Sequence, residues 1–289
     1  MKKAGILVGK MQKKTNYVAK LPDANGIIPY TKEEDAIWQE LYQRQIKIIE
    51  NRACDEYIDA LARLKLRPDR VPQCHDVSEI LMNETGWSVV PVPALIPFDE
   101  FFQLLSNRQF PAASFIRTRE ELDYLKEPDI FHEVFGHCPL LMNPLYADFV
   151  HAYGKIGLHA SQRDRVLIAR LFWFTIEFGL INTPIGTRIY GAGILSSKEE
   201  TVYALESPFP QRKPFDVMEA LRTPYRYDTK QPVYFVIDDY NTLYNLINVD
   251  IISLIAKSRE LGEYPMPQSD DNSQKTSTGT TETRHDGVC

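Results

Sequence analysis

Apolar residues recur at helical spacing at Ile37, Trp38, Leu41, Ile48 and Ile49, directly after Thr31-Lys32-Glu33-Glu34, in which the threonine and the second glutamate form a capping box. A core-facing helix is expected from that point. Tyr57, Ile58, Leu61 and Leu64 repeat the pattern over 54–66, which ends before Arg67-Pro68-Asp69. Asp76-Val77-Ser78-Glu79 opens a third helix, closed by Gly86. Residues 87–93 are rich in β-formers but carry Pro91 and Pro93, which suits an edge strand. A short helix over 98–105 and a strand over 112–117 follow, and a second capping box at Thr118-Arg119-Glu120-Glu121 starts another helix at once.

Further on, residues 166–180 are apolar nearly all round, the pattern of a buried helix. Residues 185–190 read as a strand, and Gly191-Ala192-Gly193 as a turn with close backbone approach. Ser196 to Glu200 cap a helix through Leu205, 232–237 is a strand, and 239–261 reads as one final helix with Tyr240, Leu243, Tyr244, Ile247 and Leu254 inward. Helices far outnumber short, dispersed strands. The expected class is mostly α (α+β), a single domain of packed helices with a few strands over 23–267. It is flanked by a basic arm at 1–22 and a polar, disordered tail at 268–289 that contains His285.

Candidate chemistry concentrates in Pro128-Asp129-Ile130-Phe131-His132-Glu133-Val134-Phe135-Gly136-His137-Cys138-Pro139 and in Glu177. Two imidazoles and one carboxylate that converge make a three-ligand metal site with open positions, the donor set of non-haem Fe(II) oxygenases more than of zinc. The histidines are five apart. At about 100° per residue, five steps give roughly 140°, so an unbroken α-helix would point the rings apart. Gly136 is expected to enter the left-handed region and bend the turn, and Pro139 to stop simple continuation. The plainer alternative is a helix end with two ordinary histidines.

Glu177, in its apolar segment, needs a partner, because a buried carboxylate costs several kcal/mol unless paired or metal-bound. A salt bridge to Arg170 or Arg188 is the competing reading. Trp173, four residues earlier, would bring an indole into the same cavity. Arg117 is either a surface ion pair or a guanidinium fork for a substrate carboxylate.

Composition narrows the function. The 289 residues are 44% hydrophobic, enough for a sizeable core. Thirty-nine acidic against thirty-three basic residues, a formal charge of −6, argue against nucleic acid as partner. The four cysteines form no CxxC pair, the opening apolar run is short for a signal peptide, and no segment reaches membrane-spanning length. A cytoplasmic protein without a membrane partner is expected. From ligand types alone, an oxygenase competes with a zinc-type hydrolase using Glu133 as general base beside His132, and with a non-catalytic iron or aromatic-ligand binder.

The blocks Pro72-Gln73, Asp76-Val77-Ser78, Phe115-Ile116-Arg117, Glu127-Pro128-Asp129-Ile130, His132-Glu133 with Gly136-His137, Trp173-Phe174-Thr175 with Glu177-Phe178-Gly179, Tyr190-Gly191-Ala192-Gly193 and Leu195-Ser196-Ser197 occur in one order. In them the chain resembles the tetrahydropterin-dependent aromatic amino-acid hydroxylases, most closely the single-domain bacterial phenylalanine 4-monooxygenases. The resemblance implies hydroxylation of L-phenylalanine to L-tyrosine with Fe(II), O2 and a reduced tetrahydropterin, tryptophan or tyrosine being the alternative substrates. It implies His132, His137 and Glu177 as iron ligands, Ile96, Phe101 and Glu133 at the pterin, and Arg117 on the amino-acid carboxylate. Pro128, Trp173, Phe178, Gly193 and Ser196 would form the substrate pocket, with Glu133 and Trp173 counted as catalytic. Leu125-Lys126 replaces a Thr-Pro of the animal members, and Phe172 a Tyr. The family's regulatory domain and tetramerisation helix have no counterpart, so a monomer or small homo-oligomer without a coiled-coil tetramer is expected.

Overall fold

Thr31 accepts from the Glu34 N–H at 3.3 Å, Glu34 accepts from the Thr31 N–H at 2.7 Å, and α1 (Lys32–Ile49) runs from that box with Ile37, Trp38, Leu41, Gln45 and Ile49 buried. The computed structural model describes residues 17–268 other than Leu95, Tyr124 and Lys126. The first part of the basic arm, residues 1–16, and the polar tail from residue 269 lie outside the described residues. Residues 17–22 lie against the domain: the Tyr17 ring stacks on Phe115 at 4.3 Å, and Lys20 pairs with Glu34 at 2.6 Å.

Helices α2 (Asp55–Arg63) and α3 (Cys74–Thr85) follow, α3 ending at a left-handed Gly86 as expected. Strand β1 (Ser88–Val92), helix α4 (Phe98–Ser106) and β2 (Gln109–Ala113) form a right-sized β-α-β unit whose strands pair in parallel, Ser88 opposite Gln109. The strand expected at 112–117 is thus shifted toward the N-terminus, and Arg117 lies four residues beyond its end. The capping box at Thr118 forms, but it opens only a single 3-10 turn, Arg119–Glu121.

Helix α5 (Pro144–His159) starts at an Asn143 cap with proline in the first position, a start signal that sequence reasoning passed over. Helix α6 (Gln162–Phe172) leads toward the site, followed by β3 (Gly179–Thr183), β4 (Gly186–Ile189), α7 (Ala192–Leu195) and α8 (Lys198–Glu206). The glycine pair at 191–193 therefore opens a helix rather than a free turn. Strand β5 (Gln211–Pro214), helix α9 (Val217–Arg222) and β6 (Val233–Ile237) complete a four-stranded sheet in the order β4-β3-β6-β5. The β3/β4 pair is antiparallel and the others parallel. Residues 239–261 do not form one helix. They divide into α10 (Tyr240–Tyr244), a 3-10 turn Asn245–Asn248 and α11 (Ile251–Leu261) capped by Asp250.

The main core holds Trp38, Tyr57, Phe131 and Phe135. Phe131 meets Trp38 edge-on at 5.4 Å and stacks on Phe135 at 4.8 Å, and the Tyr57 hydroxyl donates to the Phe135 carbonyl at 2.5 Å. Each such ring, fully buried, contributes about 1.5–3 kcal/mol. These contacts fix one face of the 131–137 segment, and so decide where its other face points.

Candidate metal and substrate site

The two histidines are brought together by a π-turn over His132–His137, whose hydrogen bonds run from i to i+5 and widen the helix by one residue. A five-residue spacing then returns to the same face. The left-handed bend expected at Gly136 does not occur; glycine serves close packing instead, since a Cβ there would lie 2.9 Å from the Ala192 carbonyl oxygen at the start of α7. Phe131, Val134 and Phe135 point into the core, leaving His132, Glu133 and His137 on the other side.

Glu177 ends a second π-turn, Trp173–Glu177, which extends α6 and stops where β3 begins. His132 Nε2 and His137 Nε2 are 3.1 Å apart; His137 Nε2 lies 3.2 Å from Glu177 Oε1, and His132 Nε2 3.6 Å from Glu177 Oε2. One donor atom from each of the three residues falls within 4.8 Å of the others. Arg170 is engaged by Glu263 at 2.5 Å and Arg188 by the Thr187 carbonyl at 3.0 Å, so the expected competing salt bridges to Glu177 are replaced by the two imidazoles.

Hydrogen bonding sets the tautomer of His132. The Ser196 hydroxyl gives its one proton to the Ala192 carbonyl at 2.8 Å, so at 2.9 Å it accepts from His132 Nδ1–H, and Nε2 presents a lone pair to the centre. The electrostatics demand positive charge at the same point. Burial lowers the basicity of His132, but the Glu177 carboxylate outweighs it and lifts the pKa to about 9. Burial pushes the Glu177 carboxyl up, and His137 and His132 more than reverse this, holding it well below the usual carboxylate range. His137, almost wholly enclosed, is lowered by burial despite Glu177. Two imidazole nitrogens and a carboxylate that favour a cation, with positions left over, fit a divalent iron.

Glu133 stays outside this donor set, its Oε2 3.9 Å from His137 Nε2. Burial lifts its pKa to about 8 against the opposing charge of His132. Cys138, next to His137, is turned away and meets the Glu133 carbonyl at 3.5 Å.

Arg117 is not a surface residue: it is 7% exposed and forms a two-pronged pair with the buried Asp129, Nε–Oδ2 at 2.8 Å and Nη2–Oδ1 at 2.9 Å. Asp129 also accepts from the His132 backbone N–H at 3.0 Å, which ties the arginine to the start of the first π-turn. Among the described residues the outer Nη1 edge reaches the Leu122 carbonyl alone, at 3.5 Å. Pro128, half-buried, directly precedes that aspartate.

Trp173 packs against Phe178 at 4.6 Å and lies flat on Tyr225 at 4.4 Å. Gly193 lies so close to Glu177 that a Cβ would come within 2.9 Å of Oε2. Phe101, half-buried on α4, meets Phe172 edge-on at 5.5 Å, and Phe172 in turn faces His137 at 6.2 Å; Ile96 is half-buried just before that helix. Every expected site residue is thus described. Asp129 as the partner of Arg117, and Tyr225 and Gln231 beside Trp173, were not anticipated, because their pairings lie 12 to 58 positions apart and leave no periodic mark.

A family model described as biopterin-dependent aromatic amino acid hydroxylase matches residues 10–259. The phenylalanine-4-hydroxylase of Pseudomonas aeruginosa is 55% identical over 250 residues, covering 86% of this chain and 95% of that protein. Among solved structures, the apo form of the cold-active phenylalanine hydroxylase of Colwellia psychrerythraea superposes with a TM-score of 0.85 at 53% identity, over 86% of this chain and 97% of that one. The Chromobacterium violaceum phenylalanine hydroxylase with bound iron(III) and 7,8-dihydrobiopterin does so with a TM-score of 0.81 at 46% identity, over 88% and 91% of the two chains.

Proposed function

Because the chain belongs to the biopterin-dependent aromatic amino acid hydroxylases, we propose that its three-donor centre, with the pocket beside it, converts L-phenylalanine to L-tyrosine. The observation that carries this reading is the convergence of His132, His137 and Glu177 within 4.8 Å, next to a tryptophan-lined wall. Iron and a reduced tetrahydropterin, when bound, supply the electrons that activate O2. Everything else is the work of the chain.

His132, His137 and Glu177 hold the metal, and Ser196 keeps the His132 lone pair aimed at it. Arg117, locked by Asp129, offers its outer Nη1 edge to the amino-acid carboxylate. Trp173, Phe178, Pro128 and Gly193 position the ring, and Ile96 and Phe101 hold the flat pterin. Glu133 orients the pterin by a hydrogen bond, close to the centre but outside the ligand set. The gain is positioning and exclusion of water rather than general-base chemistry, which is why the zinc-hydrolase reading of Glu133 is not retained. The buried free thiols of Cys54, Cys74 and Cys138 support a cytoplasmic setting. Among the described residues no helix is long and apolar enough to cross a membrane.

The test is O2 uptake and product analysis with Fe(II), a tetrahydropterin and each aromatic amino acid in turn. Tyrosine formed from phenylalanine, in amounts dependent on both iron and pterin, is the expected result. A preference for tryptophan or tyrosine would replace the substrate, and no pterin-dependent uptake with any of them would remove the reading.

A further inference from the structure

The indole of Trp173 is gripped at its edge as well as on its faces. Its Nε1–H donates to Gln231 Oε1 at 2.9 Å, and Gln231, 2% exposed, uses the rest of its amide fully: Nε2 donates to the carbonyls of Arg226 at 2.7 Å and Thr229 at 3.1 Å. The amide has only one sensible orientation. An indole N–H can only donate and two backbone carbonyls can only accept, so the oxygen faces Trp173 and the nitrogen faces the loop. The Gln231 backbone N–H donates to Glu200 Oε1 at 3.0 Å, and Glu200 also accepts from the Tyr234 hydroxyl, so the residue is anchored from behind.

The loop that Gln231 holds, residues 223–230, carries Tyr225, whose ring lies on the Trp173 indole at 4.4 Å and 19°. One side chain therefore fixes both the edge of the indole and the segment that bears the ring stacked on it. Rotation of the indole about its χ2 would break the Nε1 bond and leave a buried acceptor unpaired. Trp173 opens the π-turn that ends in Glu177, so its orientation is set next to the metal donors.

We propose that Gln231 is a positioning residue for the hydroxylation: it locks the plane of Trp173, and through the 223–230 loop the ring behind it, and so sets the slot that receives the substrate ring. This rests on Trp173 being a wall of the substrate pocket. Gln231 touches neither substrate nor metal in this role and acts through the indole.

Gln231→Met keeps the side-chain length and removes both the acceptor and the donors. It is expected to raise the KM for L-phenylalanine about tenfold, the effect of one buried hydrogen bond, with the pterin KM changed less than about twofold. In protein labelled with 5-fluorotryptophan, the resonance of Trp173, identified by its loss in Trp173→Phe, should shift while those of Trp38 and Trp87 stay in place. In the Trp173→Phe background the same substitution should add less than about twofold, because its target is gone. Equal changes in both KM values, an unmoved Trp173 resonance, or an undiminished effect in that background overturns the inference. Trp173→Phe alone separates it from the pocket assignment: an unchanged phenylalanine KM removes both, whereas a raised KM beside a silent Gln231→Met removes only the role of Gln231. If the methionine variant fails to fold, Gln231→Asn, which keeps the amide but is one methylene too short to hold the indole and the loop together, takes its place in the same cycle, with a smaller rise in KM expected and the same outcomes decisive.

Discussion

At the scale of single residues, the centre depends on side chains that do not themselves bind metal. The Ser196 hydroxyl accepts from His132 Nδ1–H and so holds the Nε2 lone pair toward the three-donor centre. Ser196→Ala is expected to weaken Fe(II) binding about 10–100-fold, the usual effect of losing an outer partner of a histidine ligand; equilibrium titration of the apoprotein with Fe(II) reads this directly, and an unchanged affinity would show that packing alone orients the ring. Glu133 has the opposite character. Glu133→Gln should keep iron near wild-type occupancy while raising the pterin KM and the pterin consumed per product formed, because its oxygen lies outside the donor set. Loss of iron with normal coupling in the remaining holoenzyme would make it a ligand. The convergence of the three donors was legible in the sequence, since two histidines and a buried carboxylate are residue types with few other uses in such surroundings. Asp129 and Gln231 were not, because a carboxylate and an amide acquire their meaning only from partners 12 and 58 positions away.

At the scale of elements, the first π-turn explains why α-helical arithmetic placed the two imidazole rings on different faces. The sequence signalled a departure at Gly136 but not its kind: the backbone stays right-handed and the glycine admits α7. Gly136→Ala should destabilise the fold by about 1–3 kcal/mol, the range for overpacking a close contact. It should also displace α7, which carries Gly193 toward Ser196, and so lower iron content. A variant with the wild-type urea midpoint and full iron content would show that the contact at Ala192 yields freely. Capped helices were read well where cap and apolar stripe coincide, as at Thr31. They were misjudged where an apolar stripe runs across a cap, as at Asp250, whose side chain accepts from the Ser253 N–H and restarts the helix. Strand β5, Gln-Arg-Lys-Pro, is polar and partly exposed, and its place in the sheet comes wholly from pairing with β6.

At the scale of the whole molecule, stability should carry the signature of Glu200, a buried carboxyl that the chemistry does not use. Burial raises its pKa from 4.5 to about 7, against the Tyr234 and Gln231 hydrogen bonds and the charge of Lys230, with Glu199 adding to the rise. The folded state therefore holds this proton over a range in which the unfolded chain has lost it. The associated stability is full below pH 4.5 and is lost as pH rises toward about 7, by at most about 1.4 kcal/mol per unit. Glu200→Gln keeps an acceptor oxygen and cannot ionise. The variant's melting temperature should gain on that of the wild type between pH 4.5 and 7 and hold that gain above it, whereas parallel melting curves would show that Glu200 titrates normally. The two π-turns bear on the same ledger from another side. Each is, in effect, an α-helix with one residue too many, so trimming a single position from either would restore a regular and intrinsically more favourable helix while turning one of the three donors away from its neighbours. Directed evolution for heat resistance that admits one-codon deletions would thus have a short route to sturdier, metal-free proteins, and a screen on melting temperature alone would reward them.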